Sequence, residues 1–295
     1  MNLTRLMASF YLTPWAIADS FLEMIKTELV AAHDTNDEER LERLNGRVTK
    51  SQVNGAVAVI PIQGAIGHRS NFISEYFGWP TTEKLGGMLD DAMENKAIGA
   101  IVFDINSPGG LAVGNQELHD KMMSYRGKKP MVAVANGMAA SAAYYIASAA
   151  DEFVVTPSGE VGSIGTVMVH ADMSKYYEEA GIKTTVIKAG KYKWEGNPYA
   201  PLTEETLEEL QRGVNAHYEM FINAVAVGRG VSAAKVKKDF GQGRMVMAEE
   251  AKSKGMVDRV DTLENVLARL SGTKAPTKKG VRSEVYALIT QGLAL

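Results

Sequence analysis

A chain of 295 residues with 45% hydrophobic and 23% charged residues, 28 Gly and 9 Pro has the composition of a folded globular protein, with room for one large domain or two small ones, and this excludes disordered, collagen-like and coiled-coil classes. The balance of 32 basic against 35 acidic residues leaves a net charge of −3 with no dominant basic block, so general nucleic-acid binding has little electrostatic support. With no cysteine there are no disulfides, thiol nucleophiles, Fe–S clusters or Cys-type zinc sites, which fits a reducing cytosol.

Two stretches imitate export or membrane signals. The first has Arg5, an apolar run from Leu6 to Ala18 and the small-residue triplet Ala16-Ile17-Ala18, but Ser9, Thr13 and Pro14 interrupt it and argue against a signal peptide. Pro130 to Ala150 carries no charge over 21 residues, yet it is mostly alanine and contains Asn136, Gly137, Ser141 and Ser148. It reads as a buried strand, a glycine turn and a buried helix, and no stable membrane anchor is expected.

Residues 1–52 form an appendage in which an apolar start gives way to the charged segment Asp34 to Arg47. The run AVAVIPI, Ala56 to Ile62, predicts a buried strand, followed by a loop with exposed aromatics at Phe72, Tyr76, Phe77 and Trp79. Glu83 to Asn95 predicts a helix, because Leu85, Met88, Leu89, Ala92 and Met93 recur on one face. Strands at 100–105, 131–135 and 153–156 then alternate with helices at 115–125 and 139–149. Further strands are predicted at 167–170 and 184–187, around a helix at 174–180. A long helix is expected from Thr203 to about Val227, its apolar face formed by Leu207, Leu210, Val214, Tyr218, Phe221 and Val225. Alternating strands and helices imply parallel pairing and an α/β architecture. Residues 53–271 make the main domain, and 272–295 read as a mobile tail opening on Gly, Thr, Lys and Pro.

The chain lacks a P-loop, a G-x-G-x-x-G fingerprint and an H-E-x-x-H pair, and its five histidines are scattered, so no metal or cofactor is expected. Three glycine-punctuated turns stand out instead, each after a predicted strand. Asn106-Ser107-Pro108-Gly109-Gly110 offers backbone N–H groups with no side chain in the way, as an oxyanion site requires. Asn136-Gly137-Met138-Ala139-Ala140-Ser141-Ala142-Ala143 places a serine among small residues at a helix start, where a substrate can approach closely. Gly190 to Tyr199, GKYKWEGNPY, carries Lys191 and Lys193 beside Tyr192 and Trp194. A lysine serves as a base only when desolvated, and aromatic neighbours favour that. Taken singly, each turn has an ordinary structural reading: a strand-to-helix turn, a close-packed small residue and a solvated basic loop.

Together with Val161 to Gly165, VGSIG, these segments resemble in order and spacing the signal peptide peptidase A family of serine peptidases, which shares its fold with the Clp protease subunit and crotonases. The match covers residues 55 to 270, and the motif set is most similar to the branch found in tailed-phage heads, the prohead or capsid maturation proteases. The resemblance implies repeated ββα units around a mostly parallel sheet, with Ser141 as nucleophile and Lys193, 52 positions later, as general base. It implies oxyanion donors at the backbone of Gly109 or Gly110 and of Ala142, with Ser163 hydrogen-bonding the lysine amine. Lys191 falls beside the base position and reads as an exposed neighbour.

The function implied is a Ser-Lys endopeptidase acting on capsid, scaffold or portal proteins. It would work as a homo-oligomer in the cytoplasm of a bacterial host, inside the assembling prohead. A cellular signal-peptide or oligopeptide peptidase, a catalytically idle capsid assembly protein and an acyl-CoA enzyme of the crotonase type are the alternatives. The mechanistic competitor is a triad of Ser141, His170 and an acid such as Asp172 or Asp104. An alanine-rich cleft suggests small residues flanking the scissile bond.

Overall fold

The computed structural model describes residues 13–17, 52–54, 56–70, 74–75 and 78–272. Its strands are β1 (Trp15–Ile17), β2 (Gln52–Asn54), β3 (Val57–Gln63), β4 (Ala100–Ser107), β5 (Gly109–Leu111), β6 (Met131–Ala140), β7 (Glu152–Val155), β8 (Glu160–Gly162), β9 (Met245–Met247) and β10 (Arg259–Val260). Its helices are α1 (Thr82–Glu94), α2 (Asn115–Tyr125), α3 (Ala142–Ala147), α4 (Ser174–Glu179), α5 (Glu204–Arg229), α6 (Ala233–Asp239), α7 (Ala248–Lys254) and α8 (Leu263–Leu270).

Eight strands form the main sheet. The order β10-β7-β6-β4-β3-β2 runs across it, β8 pairs with the far end of β6, and β9 pairs with β8. All these pairings are parallel except the edge contacts β2–β3 and β8–β9. The strand period of two explains how one sheet fills two cores. Ile101, Phe103, Ile105, Met131, Ala133 and Ala135 point to one face, which packs against helices including α1, α3 and α5. Ala100, Val102, Val132 and Val134 point to the other, which is covered by Val266, Leu263, Leu267 and Leu270 of α8. Both faces are therefore apolar, as a mostly parallel sheet requires.

Local signals set the helix boundaries. Thr81 caps α1 by accepting from the Lys84 N–H, and Thr203 caps α5 by accepting from the Thr206 N–H. Gly230 ends α5 in the left-handed region at φ 64°, donating back to the Ala226 and Val227 carbonyls. Only the second half of the apolar face of α5 is buried, at Phe221, Ile222 and Val225, while Leu207 stays 54% exposed. Among the described residues no helix is long and apolar enough to cross a membrane.

Several expected elements differ. The third strand continues to Ala140 instead of ending at Ala135, and the helix after it is Ala142–Ala147 rather than 139–149. Helix propensity favours Ala-rich MAASAA, but Ala139 pairs with Ser107 on one side and Val161 on the other, and this sheet bonding wins. Residues 167–170 and 184–187 are not strands. Val167 has one bridge, to Trp15, and 184–187 have no partner strand among the described residues and lie exposed. Trp79 is half-buried rather than exposed, and Phe72, Tyr76 and Phe77 lie outside the described residues, as do 18–51 and 273–295.

Candidate active site

Ser141 occupies the junction between β6 and α3 with φ 53° and ψ −116°, a conformation in which a side chain is seldom found. The chain reverses sharply there, as in a nucleophile elbow, although no G-x-S-x-G motif marks it. Such strain persists only where the surroundings impose it, and it concentrates at functional positions. Here the restraints are visible: the Ser141 N–H donates to the Gly162 carbonyl (2.7 Å), and the Ser141 carbonyl accepts from the Tyr145 N–H (2.9 Å). Ser141 is 1% exposed, and its Oγ is buried with no hydrogen-bond partner among the described residues. A buried hydroxyl without a partner carries a desolvation cost, and a functional role is one account of such a group.

The glycine turn after β4 lies against this elbow. A Cβ built on Gly109, whose φ is +102°, would sit 2.9 Å from the Ser141 Cβ and 2.2 Å from the Ala16 carbonyl oxygen. On Gly110 it would sit 2.0 Å from the Ile66 carbonyl oxygen and 2.5 Å from the Ile66 nitrogen. Glycine is required at both positions because backbone, not a movable side chain, fills the space. Gly110→Ala is accordingly expected to lower stability by about 1–3 kcal/mol through overpacking. A thermal melt checks this, and an unchanged melting temperature would mean that Ile66 yields freely.

The structure brings together Ser141, Ala142, Gly109 and Gly110, with Ser163 on the neighbouring turn. The Ser163 backbone also takes a positive φ, 52°, held by its N–H bonding to the Arg244 carbonyl (2.9 Å). The Gly109 N–H donates to Ser107 Oγ (3.2 Å), an internal bond that an oxyanion would have to replace. Sequence reasoning placed Ser107 and Gly162 within the glycine turns but gave them no role of their own, and it did not single out the Ile66 backbone, which packs against Gly110 through main-chain contacts.

The structure does not bring Lys193 to this cluster. Because Ser141 Oγ has no hydrogen-bond partner, the Lys193 amine is outside hydrogen-bond range. Lys193 lies exposed in the turn following Gly190, in a segment whose Ile182, Val186, Ile187, Tyr192 and Trp194 are also exposed. Lys191 is engaged elsewhere: its Nζ contacts Tyr192 Oη (2.7 Å) and Glu205 Oε1 (2.9 Å), and these partners hold its pKa above the ordinary lysine value. A lysine kept protonated in this way is a poor general base. The triad competitors are also occupied: the His170 ring bonds to the Asn197 carbonyl, Asp172 accepts from the Ser174 N–H, and Asp104 accepts from Asn136.

Residues 124–276, which include the elbow, the VGSIG turn and the lysine segment, match the model of peptidase family S49. The chain belongs to that family. An S49 assignment agrees with the mostly parallel sheet flanked by helices, which is the Clp protease/crotonase-like architecture. Among similar proteins, "Putative protease MJ0651" of Methanocaldococcus jannaschii is 37% identical over 186 residues, 62% of this chain and 58% of that protein. Capsid assembly protease C of Escherichia phage lambda is 30% identical over 251 residues, 81% of this chain and 56% of that protein. Head-tail preconnector protein GP5 of Enterobacteria phage P21 is 33% identical over 184 residues, 62% of this chain and 36% of that protein. This S49 chain thus spans from about a third to three-fifths of the length of these relatives.

Proposed function

We propose that the protein is a serine endopeptidase in which Ser141 is the nucleophile and Lys193 the general base, and that it acts on capsid, scaffold or portal proteins during phage head assembly. The observation that carries the chemistry is the strained, buried and unpaired Ser141 beside the Gly109-Gly110 turn. The neutral lysine takes the hydroxyl proton, Oγ attacks the scissile carbonyl, and backbone N–H groups of Gly109 or Gly110 and of Ala142 receive the oxyanion. The protonated lysine then gives its proton to the leaving amine, and water, deprotonated by the same lysine, releases the acyl group. In this reading Ser163, on the turn beside the nucleophile, orients the amine once the lysine segment has packed in. No metal or cofactor enters these steps. The capsid role is supported by the similarity to the lambda and P21 head proteins.

For the dyad to form, the segment bearing Lys193 must pack into a cleft, its own or that of another copy. Ile187, 97% exposed, and its apolar neighbours supply the surface that such packing would cover, and the proposed active form is a homo-oligomer. Light scattering at micromolar concentration is expected to show an assembly, and a monomer that cleaves peptides would refute it. The test of function is digestion of a diverse peptide mixture read by mass spectrometry. Cleavage at a restricted set of bonds, with small flanking residues, is expected. No cleavage from pH 7 to pH 9 would favour an idle assembly protein.

A further inference from the structure

The strand β1 covers the proposed catalytic turn. Trp15–Ile17 pairs antiparallel with β5, in the register Trp15↔Leu111, Ala16↔Gly110 and Ile17↔Gly109, so its last pair falls on the glycine that touches Ser141. The other edge of the segment is held as well. The Trp15 N–H donates to the Val167 carbonyl and the Val167 N–H to the Trp15 carbonyl, both at 2.9 Å, while the Ala112 N–H donates to the Pro14 carbonyl (3.0 Å). The segment therefore lies as an extended strand between two backbone edges. A peptide bound by strand addition makes the same main-chain bonds.

Its side chains are placed as a bound peptide's would be. Trp15, Ala16 and Ile17 are all at least 96% buried, by their exposures of 4%, 2% and 4%. Alternation sends Trp15 and Ile17 to one face and Ala16 to the other. On its side Ala16 lines a cleft of about 100 Å³ bounded by Ala112, Tyr145, Thr166, Met220 and Phe221. The methyl group leaves that space unfilled. The Ala16 carbonyl oxygen and the Ser141 Cβ flank the same small space beside Gly109, and Ser141 itself is 1% exposed. A substrate carbonyl reaches Ser141 only after something leaves.

We propose that residues 13–17 occupy the acyl side of the protein's own substrate cleft as a built-in peptide strand, and that an extended polypeptide substrate binds by displacing them onto the same edges, Gly109–Leu111 and Val167. This rests on the reading of Ser141 and the Gly109-Gly110 turn as the catalytic cleft. It adds what occupies the cleft in the resting chain and what kind of ligand replaces it: an extended segment, apolar at alternate positions, with a side chain at the Ala16 position that can exceed alanine.

The test uses the full chain carrying Trp15→Asp and Ile17→Asp, which puts two carboxylates where the structure buries apolar groups and so releases the strand. A fluorescent synthetic peptide of residues 13–18 is titrated by anisotropy against this variant and against the otherwise wild-type chain, both with Ser141→Ala. The expected result is binding to the released variant at least tenfold tighter than to the unreleased chain, with hydrogen-exchange protection regained at Gly109–Leu111. Equal affinity for both proteins, or none for the released one, overturns the proposal. With Ser141 restored, a fluorophosphonate probe, which bonds to Oγ and expels fluoride, is expected to label the released variant at least tenfold faster than wild type. Equal or slower labelling of a folded variant would make β1 a fixed wall and also overturn it. If neither protein is labelled, the nucleophile assignment fails while the anisotropy result still decides occupancy. Should the double variant not fold, Trp15→Ala, which loosens the strand without burying charge, is read by the same two measurements.

Discussion

Replacing Ser141 with alanine is expected to lower kcat/KM for a cleavable peptide by at least about 10³-fold while leaving the melting temperature unchanged or slightly raised. On the proposed assignment the activity loss follows from removing the atom that forms the acyl-enzyme, and knockouts of a nucleophile or its base commonly cost this much or more. The stability outcome follows from the geometry. Among the described residues Ser141 Oγ has no hydrogen-bond partner, so its removal breaks no bond there and relieves a buried polar group. Ser141→Gly should stabilise further, because glycine adopts φ 53° without a Cβ penalty, a gain of about 1 kcal/mol. Lys193→Ala is expected to lose activity to the same degree, while Lys191→Ala and His170→Ala retain it within about threefold. Lys191 is tied to Glu205 and Tyr192, and the His170 ring to Asn197. A lysine accepts the hydroxyl proton only in its neutral form, so the wild-type rate should be higher at pH 9 than at pH 7. Kinetic assays of the four variants with parallel melts check this. An active Ser141→Ala protein, or an inactive Lys191→Ala protein beside an active Lys193→Ala one, would overturn the assignment.

The fold was legible in the sequence where an element's burial follows its own period. Val57–Gln63, Thr82–Glu94, Ala100–Ser107 and Asn115–Tyr125 fall within two residues of their expected bounds, because the two- and 3.6-residue periods are set by local burial. The errors share a cause. Ala139 and Ala140, expected in a helix, are extended, since sheet bonding to Ser107 and Val161 outweighs a propensity difference of a few tenths of a kcal/mol per residue. Val167–His170 meets β1 at Val167 alone, through one bridge to Trp15, and among the described residues no strand neighbours Thr184–Ile187, so neither segment gains the run of partners that a strand needs. The candidate serine turn was legible as glycine turns and a serine among small residues, because those choices are dictated by backbone approach. The left-handed turn at Ser141 was not, since a serine there leaves no mark comparable to glycine. Nor was the strand at Trp15–Ile17 foreseen. Its apolar residues imitate the end of an export signal, and only three-dimensional pairing with Gly109–Leu111 distinguishes the two.

The largest stability loss is expected at Asp258, far from the chemistry. Arg229, the last residue of α5, has a side chain only 6% exposed, and its guanidinium makes a two-pronged contact with the Asp258 carboxylate at 2.9 and 2.6 Å. Asp258 also accepts from the Phe153 N–H (2.7 Å), so one carboxylate ties the end of α5 to the start of β7. Burial alone would raise the pKa of Asp258, but the bonds from Arg229 and the Phe153 amide outweigh it and hold the carboxyl below the ordinary value. Asp258→Ala leaves the guanidinium buried and unmatched, which typically costs about 3–5 kcal/mol. The carboxylate is itself 42% exposed, so solvent screening places the expected loss near the lower end, about 3 kcal/mol, or roughly 6–12 °C in melting temperature. The pH dependence has a definite sign. A carboxyl whose folded pKa is depressed contributes its stability above the unfolded value of about 3.9 and loses it as pH falls through the folded pKa. The melting difference between wild type and Asp258→Ala should therefore be full at neutral pH and shrink below pH ~4. The double variant Arg229→Met with Asp258→Leu, which removes both charges, should recover most of the loss at neutral pH, because the penalty lies in the stranded guanidinium more than in the missing bond. If the double variant melts as low as Asp258→Ala, the Phe153 amide and not the ion pair is what Asp258 chiefly serves.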